Sequence, residues 1–582
     1  MVETIDFDIV GSFNNQRVSE IDAERSINCF EYIDPLAKKV KSLVNTSGIL
    51  DTELSFVGAS GAFRAQFVFD NVQYVVIGDR IYSITTSNVV ALLGTIGTIT
   101  GYVGIDANTF QIIFVDGQNG YIFDTNTLTF VQIIDPDFPL KPIDVCYLDG
   151  FFVVANGDTN TFQLSSFYQG LIWGPDNSGT ESTIVMAAAS SDITITFAPG
   201  STITDYQIGV PVVFTGGGLP AELIAGQTYY VVFNDSVNII RVSATPGGVP
   251  ITSVAGGAGS MTNNGQLQLG EMTSHPGTIV ACRTLHRRLF LFSQFFTEVW
   301  ENAGIGTNLP FRRNNSLLIE YGTPAIGSVS VGFDKLFFLS QDRDGLGSVM
   351  EVIGAQAISV SNRALDFQLA QYSEVQKISD CRSFLIKENG LIFYRMNFTS
   401  ANHTYVYNVT LSDPRQENMK FWHEEEVLNG DRHPSQTHAY FNGQNYVGDY
   451  QSPILYIINN TIYSNNGESI RRARITRPMT PPGYQRLRVD RLQVDLLQGN
   501  VSDDTFTAQQ YMYLSISKDG GQTYGSKIKA PLGHVGQRSA RTVWRKLGTI
   551  PRGQGFVAKF EYFEQTPFVV LGGAWAMSVL PE

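Results

Sequence analysis

The chain is poor in cysteine, in charge and in long apolar runs. Its four cysteines, Cys29, Cys146, Cys282 and Cys381, lie far apart and form no C-x-x-C pair. That spacing argues against a disulfide framework or a zinc knuckle and fits buried free thiols in a protein made in a reducing cytoplasm. No stretch approaches the roughly 20 apolar residues that a membrane-spanning helix needs. The opening MVETIDFDIVGSFNN has neither a basic n-region nor an apolar h-region, so no secretory signal is expected. G-x-S-x-G, Walker A and the dinucleotide fingerprint are all missing, and with them the commonest nucleophile elbows and phosphate cradles. Charged residues are 16 % of the chain, well below the usual quarter.

What is abundant is glycine and aromatic residue: 55 Gly, 38 Phe and 25 Tyr in 582 residues. This mixture suits many short strands joined by tight turns and does not suit helix bundles. Hairpin patterns recur along the chain. Tyr74–Ile84 turns at Gly78-Asp79, Gln111–Phe123 at Asp116–Gly120, and Phe151–Leu164 at Asn156-Gly157-Asp158, with spacings close to 40 residues. After a break they resume at Arg288–Trp300, Lys335–Val352, Phe384–Met396 and His438–Ile457. Seven such units at blade-like intervals predict an all-β chain built on a β-propeller of about six to eight blades. A series of β-sandwiches is the alternative.

Composition divides the chain further. Residues 1–50 read as an irregular N-terminal arm or docking segment, or a strand-poor lid, with a short helix at Asp22–Cys29. Residues 51–166 and 277–465 are the two parts of the propeller. Between them, 167–276 alternates as strands punctuated by Gly216-Gly217-Gly218, Pro246-Gly247-Gly248 and Gly256-Gly257, which predicts an inserted β-domain. Exposed loops accept such insertions at little cost. Residues 466–582 read as a basic, β-sandwich-like C-terminal domain.

The chain carries a formal charge of −14, but unevenly. Between Arg471 and Arg552 there are fifteen Lys or Arg against five Asp or Glu, a net +10 that leaves the remainder at −24. This basic window could meet phosphates, form a solvated strand face, or dock onto acidic surfaces of a neighbouring subunit. Assembly is the preferred reading, with Arg471, Arg472, Arg474, Arg477, Arg538, Arg541, Arg545 and Lys546 as candidate contacts.

Within the window, Ser517–Tyr524 (SKDGGQTY) fits the Asp-box pattern S-x-D-x-G-x-T-aromatic of sialidases and other propellers. The pattern is structural: Ser517, Asp519, Gly521, Thr523 and Tyr524 form a turn in which the carboxylate accepts backbone N–H groups and glycine supplies positive φ. The run His423-Glu424-Glu425-Glu426 with His433 and His438 lacks the spacing of a metal site and reads as a solvated loop. Asp342–Gly347 resembles part of a calcium loop but lacks the later Glu. The pairs Asp135/Asp137 and Asp503/Asp504 lie near prolines or in polar loops, and sequence gives no separation that would make either a glycosidase pair. No catalytic residue, metal or cofactor is expected.

The C-terminal stretch carries a family likeness. LSISKDGGQTYG, followed by RTVWRKLGTIPRGQGFVAKFEYFEQTPFVVLGGAWAMS, resembles the end of the packaged-DNA-stabilisation (tail hub, or nozzle) proteins of short-tailed phages such as P22. The order is shared: a strand, a DG-x-x-YG turn, a basic stretch with W-[KR]-[KR]-[LV]-G, then G-F and a final strand pair. Asn28–Leu50, ending in NTSGIL, is similar to the family's opening segment. Segment 167–276 departs from the family pattern.

The resemblance implies a non-enzymatic structural subunit of the virion tail, assembled in the bacterial host cytoplasm. It implies a hexameric ring or tube below the portal-adaptor ring that retains packaged DNA and conducts it during ejection. Tail fibres or spikes and a needle or plug would attach nearby. Double-stranded DNA would pass through the lumen without sequence specificity, and segment 167–276 would be a fibre dock or tip. The rival readings from other classes are a propeller glycan hydrolase or depolymerase, and a glycan-binding adhesion module.

Overall fold

A computed structural model gives the fold. It describes residues 3–16, 22–34, 40–173, 180–189, 192–196, 211–234, 239–245, 248–252, 256–263, 269–303, 310–341, 347–354, 356–375, 378–479, 485–497, 509–533, 541–551 and 555–580. Residues 1–77, 83–91 and 324–582 form one compact unit, and residues 78–82 with 92–323 form a second.

Among the described residues there are seven four-stranded antiparallel units of propeller-blade type, four as separate sheets and three within larger sheets, and each contains one of the seven hairpins expected from sequence. In chain order they begin at Phe63, Gly104, Pro142, Ile279, Ser330, Arg382 and Ser435. The turn chemistry explains why they fold as tight meanders. In six of the seven, the first two strands are joined by two residues with positive φ: Asp70-Asn71, Asp149-Gly150, His286-Arg287, Phe333-Asp334, Asn389-Gly390 and Asn442-Gly443. Two successive left-handed residues are the type I′ geometry, whose twist matches that of the flanking strands. Middle strands such as Val72–Ile77, Gln111–Val115 and Phe151–Asn156 are almost continuously buried, as strands covered on both faces must be.

In the second unit, the strand Gln169–Trp173 is the fourth of its blade, and Leu269–Glu271 pairs alongside Thr161–Ser166 of the same blade. Between them six strands, from Thr180–Ala189 to Gly257–Asn263, close into a barrel. Its core includes Met186, Phe214, Tyr229, Val231, Ile240 and Met261. The insertion is thus a closed barrel with its own apolar interior.

The first unit corrects the expectation for residues 1–50. These residues are largely strand, and Asp22–Cys29 is not a helix: Ala23–Ile27 and Cys29–Ile33 are both extended. The strand Gly48–Asp51 pairs antiparallel with Leu455–Asn459 and supplies the fourth strand of the last blade. Its Ile49 is buried against Val447, Tyr456 and Ile458. The strand Ala23–Ile27 pairs in parallel with Trp422–Glu425, the outer strand of the sixth blade, and antiparallel with Arg472–Ile475 of the C-terminal domain. One ten-stranded sheet therefore runs from the sixth blade into the C-terminal domain.

That domain is a sandwich. Arg472–Ile475, Val557–Tyr562, Gln510–Ser517 and Ile528–Gly533 form the end of the ten-stranded sheet, and Leu487–Leu496, Thr542–Ile550 and Val569–Val579 pair with one another in the facing one. The N-terminal strands Glu3–Phe7 and Lys41–Asn45 both add to Val569–Val579. Leu492, Met512, Leu514, Trp544 and Phe560 are fully buried between the sheets. A helix, Arg363–Val375, lies before the sixth blade, with Asn362 Oδ1 accepting from Leu365 N as its N-cap.

Phe333 holds a left-handed φ of 52° although it is bulky and 47 % exposed. Left-handed backbone costs a side chain with a Cβ about 1–2 kcal/mol, and Asn tolerates it better. Phe333→Asn is expected to stabilise the chain by up to about 1 kcal/mol, read as a raised midpoint in thermal or urea unfolding.

Candidate assembly site

Three of the predicted contact arginines are spent inside the protomer. Arg472 and Arg474 are buried, at 0 % and 1 % exposure, which corrects their reading as contacts to a neighbour. Arg474 donates to the carbonyls of Ile9 (2.7 Å) and Ser12 (3.1 Å), to Ser26 Oγ (3.0 Å) and to the Glu24 carboxylate. It thereby folds the N-terminal segment onto the bridging strand. Arg472 donates to the carbonyls of Glu564 (2.9 Å) and Tyr463 (3.2 Å), and burial lowers its guanidinium to about 10. Arg471 spans two modules, reaching Glu426 Oε1 beside the sixth blade (2.8 Å) and Glu561 Oε1 of the sandwich (3.0 Å).

The His423–Glu426 run is likewise interior, not a solvated loop. His423, Glu424 and Glu425 are all buried on the strand Trp422–Glu425. Arg25 of the bridging strand grips Glu424 bidentately, at 2.7 and 2.9 Å. Burial alone would raise the Glu425 carboxyl, but the Arg395 guanidinium 2.8 Å away outweighs it and holds the acid well below the usual carboxylate range. Asn28, in the left-handed region at φ 54°, completes the joint. Its Nδ2 donates to the carbonyls of Glu426 (2.9 Å) and Arg471 (2.8 Å), and its Oδ1 accepts from Glu426 N (3.0 Å). Among the described residues no group of three or more His, Cys, Asp or Glu is placed to hold a metal ion.

The remaining predicted contacts that the structure describes lie outward. Arg477 is 63 % exposed and reaches Glu24 Oε2 at 2.8 Å. Arg541, Arg545 and Lys546 are exposed, while Arg538 lies outside the described residues. The W-R-K-L-G motif has a geometric cause. Trp544 and Leu547 both face the core; Arg545 pairs with Arg491 and Gly548 with Val489, so Lys546 and Leu547 oppose Asp490 as a bulge, with Lys546 at φ 57° and Gly548 at φ 94°. The bulge turns two consecutive cations outward.

The Ser517–Tyr524 turn joins two antiparallel strands as expected. Ser517 Oγ donates to Asp519 Oδ1 (2.6 Å) and accepts from Gly521 N (2.8 Å). Asp519 Oδ1 also accepts from Thr523 N (2.9 Å). Hydrogen bonds from Ser517 and Thr523 hold this carboxyl below the usual range. Thr523 is exposed, whereas Tyr524 is half-buried under the Lys559 ammonium, 4.6 Å from its ring centroid.

The other sequence candidates fare differently. Asp135 is a brace: Oδ1 accepts from Asp137 N (2.9 Å) and Oδ2 from Trp173 N (2.8 Å). Asp503, Asp504 and Asp342–Asp344 lie outside the described residues. Sequence reasoning did not point to a cleft of about 350 Å³ on the fourth blade, lined by His275, Glu298, Arg313 and Leu317 among others. Glu298 accepts there from the amides of Thr273 (3.1 Å) and Ser274 (2.8 Å) and from Trp300 Nε1 (2.9 Å). A single carboxylate saturated with donors is a structural brace and does not form the pair that glycoside hydrolysis uses.

Two consequences of the buried charge are measurable. Removing one partner from a buried ion pair costs about 3–5 kcal/mol. Arg474→Met is accordingly expected to destabilise the first unit by that order in urea unfolding, well beyond an exposed Arg541→Met control. The second concerns pH. Burial pushes His433 down to about 3 and His438 down to about 4, against roughly 6.5 in an unfolded chain. The native state keeps both neutral while the unfolded state takes up protons. Their contribution to stability is therefore complete above pH 6.5 and is lost as pH falls from 6.5 toward 4. His438→Gln is expected to flatten the fall of the melting midpoint between pH 7 and 4.5; an unchanged slope would contradict this.

Comparisons with known proteins agree with the architecture. A family described as "Bacteriophage P22 Gp10, beta-propeller" matches residues 27–168 and 260–463, and one described as "Bacteriophage P22 Gp10, beta-sandwich" matches residues 472–577. The stretch between the two propeller matches, 169–259, holds most of the barrel. No curated protein matches the chain. Similar solved structures include the WD40 domain of Neurospora crassa Pan2, at 8 % identity over 72 % of this chain and 95 % of that one (TM-score 0.34). BamB from Moraxella catarrhalis matches at 9 % identity over 72 % and 99 % (TM-score 0.32). The computationally designed Ika8 protein matches at 10 % identity over 71 % and 99 % (TM-score 0.32). At these identities and scores the solved structures add nothing to the functional reading. The two family matches span well over half of the chain, which belongs to the family of bacteriophage P22 Gp10, the phage packaged-DNA stabilisation proteins.

Proposed function

We propose that the chain is the tail hub, or nozzle, subunit of a short phage tail. In this reading six copies form a ring or tube below the portal-adaptor ring, retain packaged DNA and conduct it during ejection. The role is structural and not catalytic. The observation that carries the reading is the match of both modules, propeller and sandwich, to one phage structural family. Charge supports it. A conduit must not grip DNA, because each neutralised phosphate adds affinity through counterion release. With the basic window set aside, the chain is at −24, a balance suited to a surface along which duplex slides without sequence preference.

Fibres or spikes and a needle or plug are the further partners in this reading. The inserted barrel is a candidate dock for them, or a tip. It lies largely outside the family match and has its own core, so it can be added without disturbing the blades.

Electron microscopy of the purified protein with the portal-adaptor complex tests the reading. A six-fold ring seated on that complex is expected, and a monomer that never joins it would refute the assignment. Deleting residues 180–263 is expected to leave ring formation intact and to abolish fibre attachment in assembled particles. Unchanged attachment would remove the dock assignment alone.

A further inference from the structure

From Ile81 to Leu140 the chain contains five Asp and not one Lys or Arg. This stretch includes the outer strand of the second blade, Thr129–Gln132, which among the described residues pairs with Gly120–Asp124 alone. Leu128, Val131 and Ile134, on and beside that strand, are 74 %, 40 % and 88 % exposed. Phe130 lies against Gly94 of the neighbouring outer strand Val90–Thr95, where Leu92 is 51 % exposed, so the apolar surface continues across both strands. Solvent-facing edges usually carry charge, Pro or a bulge that blocks pairing. The strand Thr129–Gln132 itself carries none of these, and apolar groups that cluster in this way mark contact surfaces.

The sandwich presents a face of opposite character. Arg545 stands directly opposite Arg491 in the antiparallel register. Like charges so placed are destabilising. Arg491 Nε is buried with no hydrogen-bond partner. Lys546 is held outward at φ 57°, and Arg541, just before the same strand, is exposed. Arg491, Arg541, Arg545 and Lys546 have no ion-pair partner among the described residues. The face thus carries electrostatic and backbone costs that no ion pair among the described residues offsets.

We infer that these two faces meet between copies, the cation-free blade face of one copy receiving the basic sandwich face of the next. The inference rests on the ring reading above and names the surfaces that would build the ring. The occupant of the blade edge is a second copy of this chain. Guanidinium planes and Lys stems can lie on apolar surface while their charged heads reach carboxylates. Asp124, opposite Thr129 in register, is placed to receive them. Unlike faces joined head to tail form a heterologous interface, the kind that closes into rings.

The test uses the full chain assembled with the portal-adaptor complex, with rings counted by electron microscopy. Val131→Lys with Ile134→Lys places cations on the blade face; Arg545→Glu with Lys546→Glu reverses the sandwich face. All four positions are exposed, and circular dichroism and the melting midpoint should match the wild type. Like charges set against each other across an interface oppose binding, so each pair alone is expected to lower the assembled fraction about tenfold or more. A chain carrying both pairs restores opposite charge across the contact and is expected to regain rings. If either pair alone assembles like the wild type, or if the combined chain stays as defective as the single pairs, the inference is overturned while the ring reading stands. If the wild-type chain forms no ring on the complex, the ring reading fails and takes the inference with it.

Discussion

The first unit depends on a strand that comes from far away in sequence. Ala23–Ile27 occupies the gap between the sixth blade and the sandwich and makes them parts of one sheet. The bidentate Arg25–Glu424 pair, the Arg474 cluster and the Asn28 amide then lock it on both sides. Hydrogen bonds between unlike modules are usually few and wet. Here they are buried and directional, and their loss would strand charges in the interior. The following strand Gly48–Asp51 closes the last blade. The first fifty residues therefore hold the unit together and do not hang from it as an arm.

This constraint also sorts the basic window into two populations. Arg471, Arg472 and Arg474 serve the interior, where carbonyls and carboxylates surround them. Arg545 and Lys546 serve the outside, because Trp544 and Leu547 take the inward positions across the bulge, and Arg541 is exposed as well. A net charge of +10 over the window thus overstates the charge available to any partner. Among the outward cations, Arg541, Arg545 and Lys546 are clustered on and just before one strand, which suits selective docking.

Local features were legible in the sequence and remote ones were not. The seven hairpins were visible because strand alternation and turn residues are coded within a dozen positions. The Ser517–Tyr524 turn was visible for the same reason, since every bond in it spans four residues or fewer. Asn389-Gly390 and Asn442-Gly443 announce type I′ turns, whereas His286-Arg287 and Phe333-Asp334 adopt the same geometry without the usual residues. The role of residues 1–50 could not be read. Arg25 and Glu424 are 399 positions apart, and Arg474 and Glu24 are 450 apart. A strand that adds to distant sheets shows only its own short, mixed pattern. For the same reason the run His423–Glu426 looked like a solvated loop, since its counter-charges come from Arg25, Arg395 and Arg471.

The bridging strand fuses the sixth blade and the sandwich into one cooperative body. Native-state hydrogen exchange tests it directly, through the amides of Ser26–Asn28 and Ala473–Ile475 across increasing denaturant. These amides are predicted to exchange only by global unfolding of the unit, with the same free energy and denaturant dependence as the buried amides of Phe393–Met396. Exchange through a lower-energy opening that frees the sandwich while the blades stay protected would contradict it.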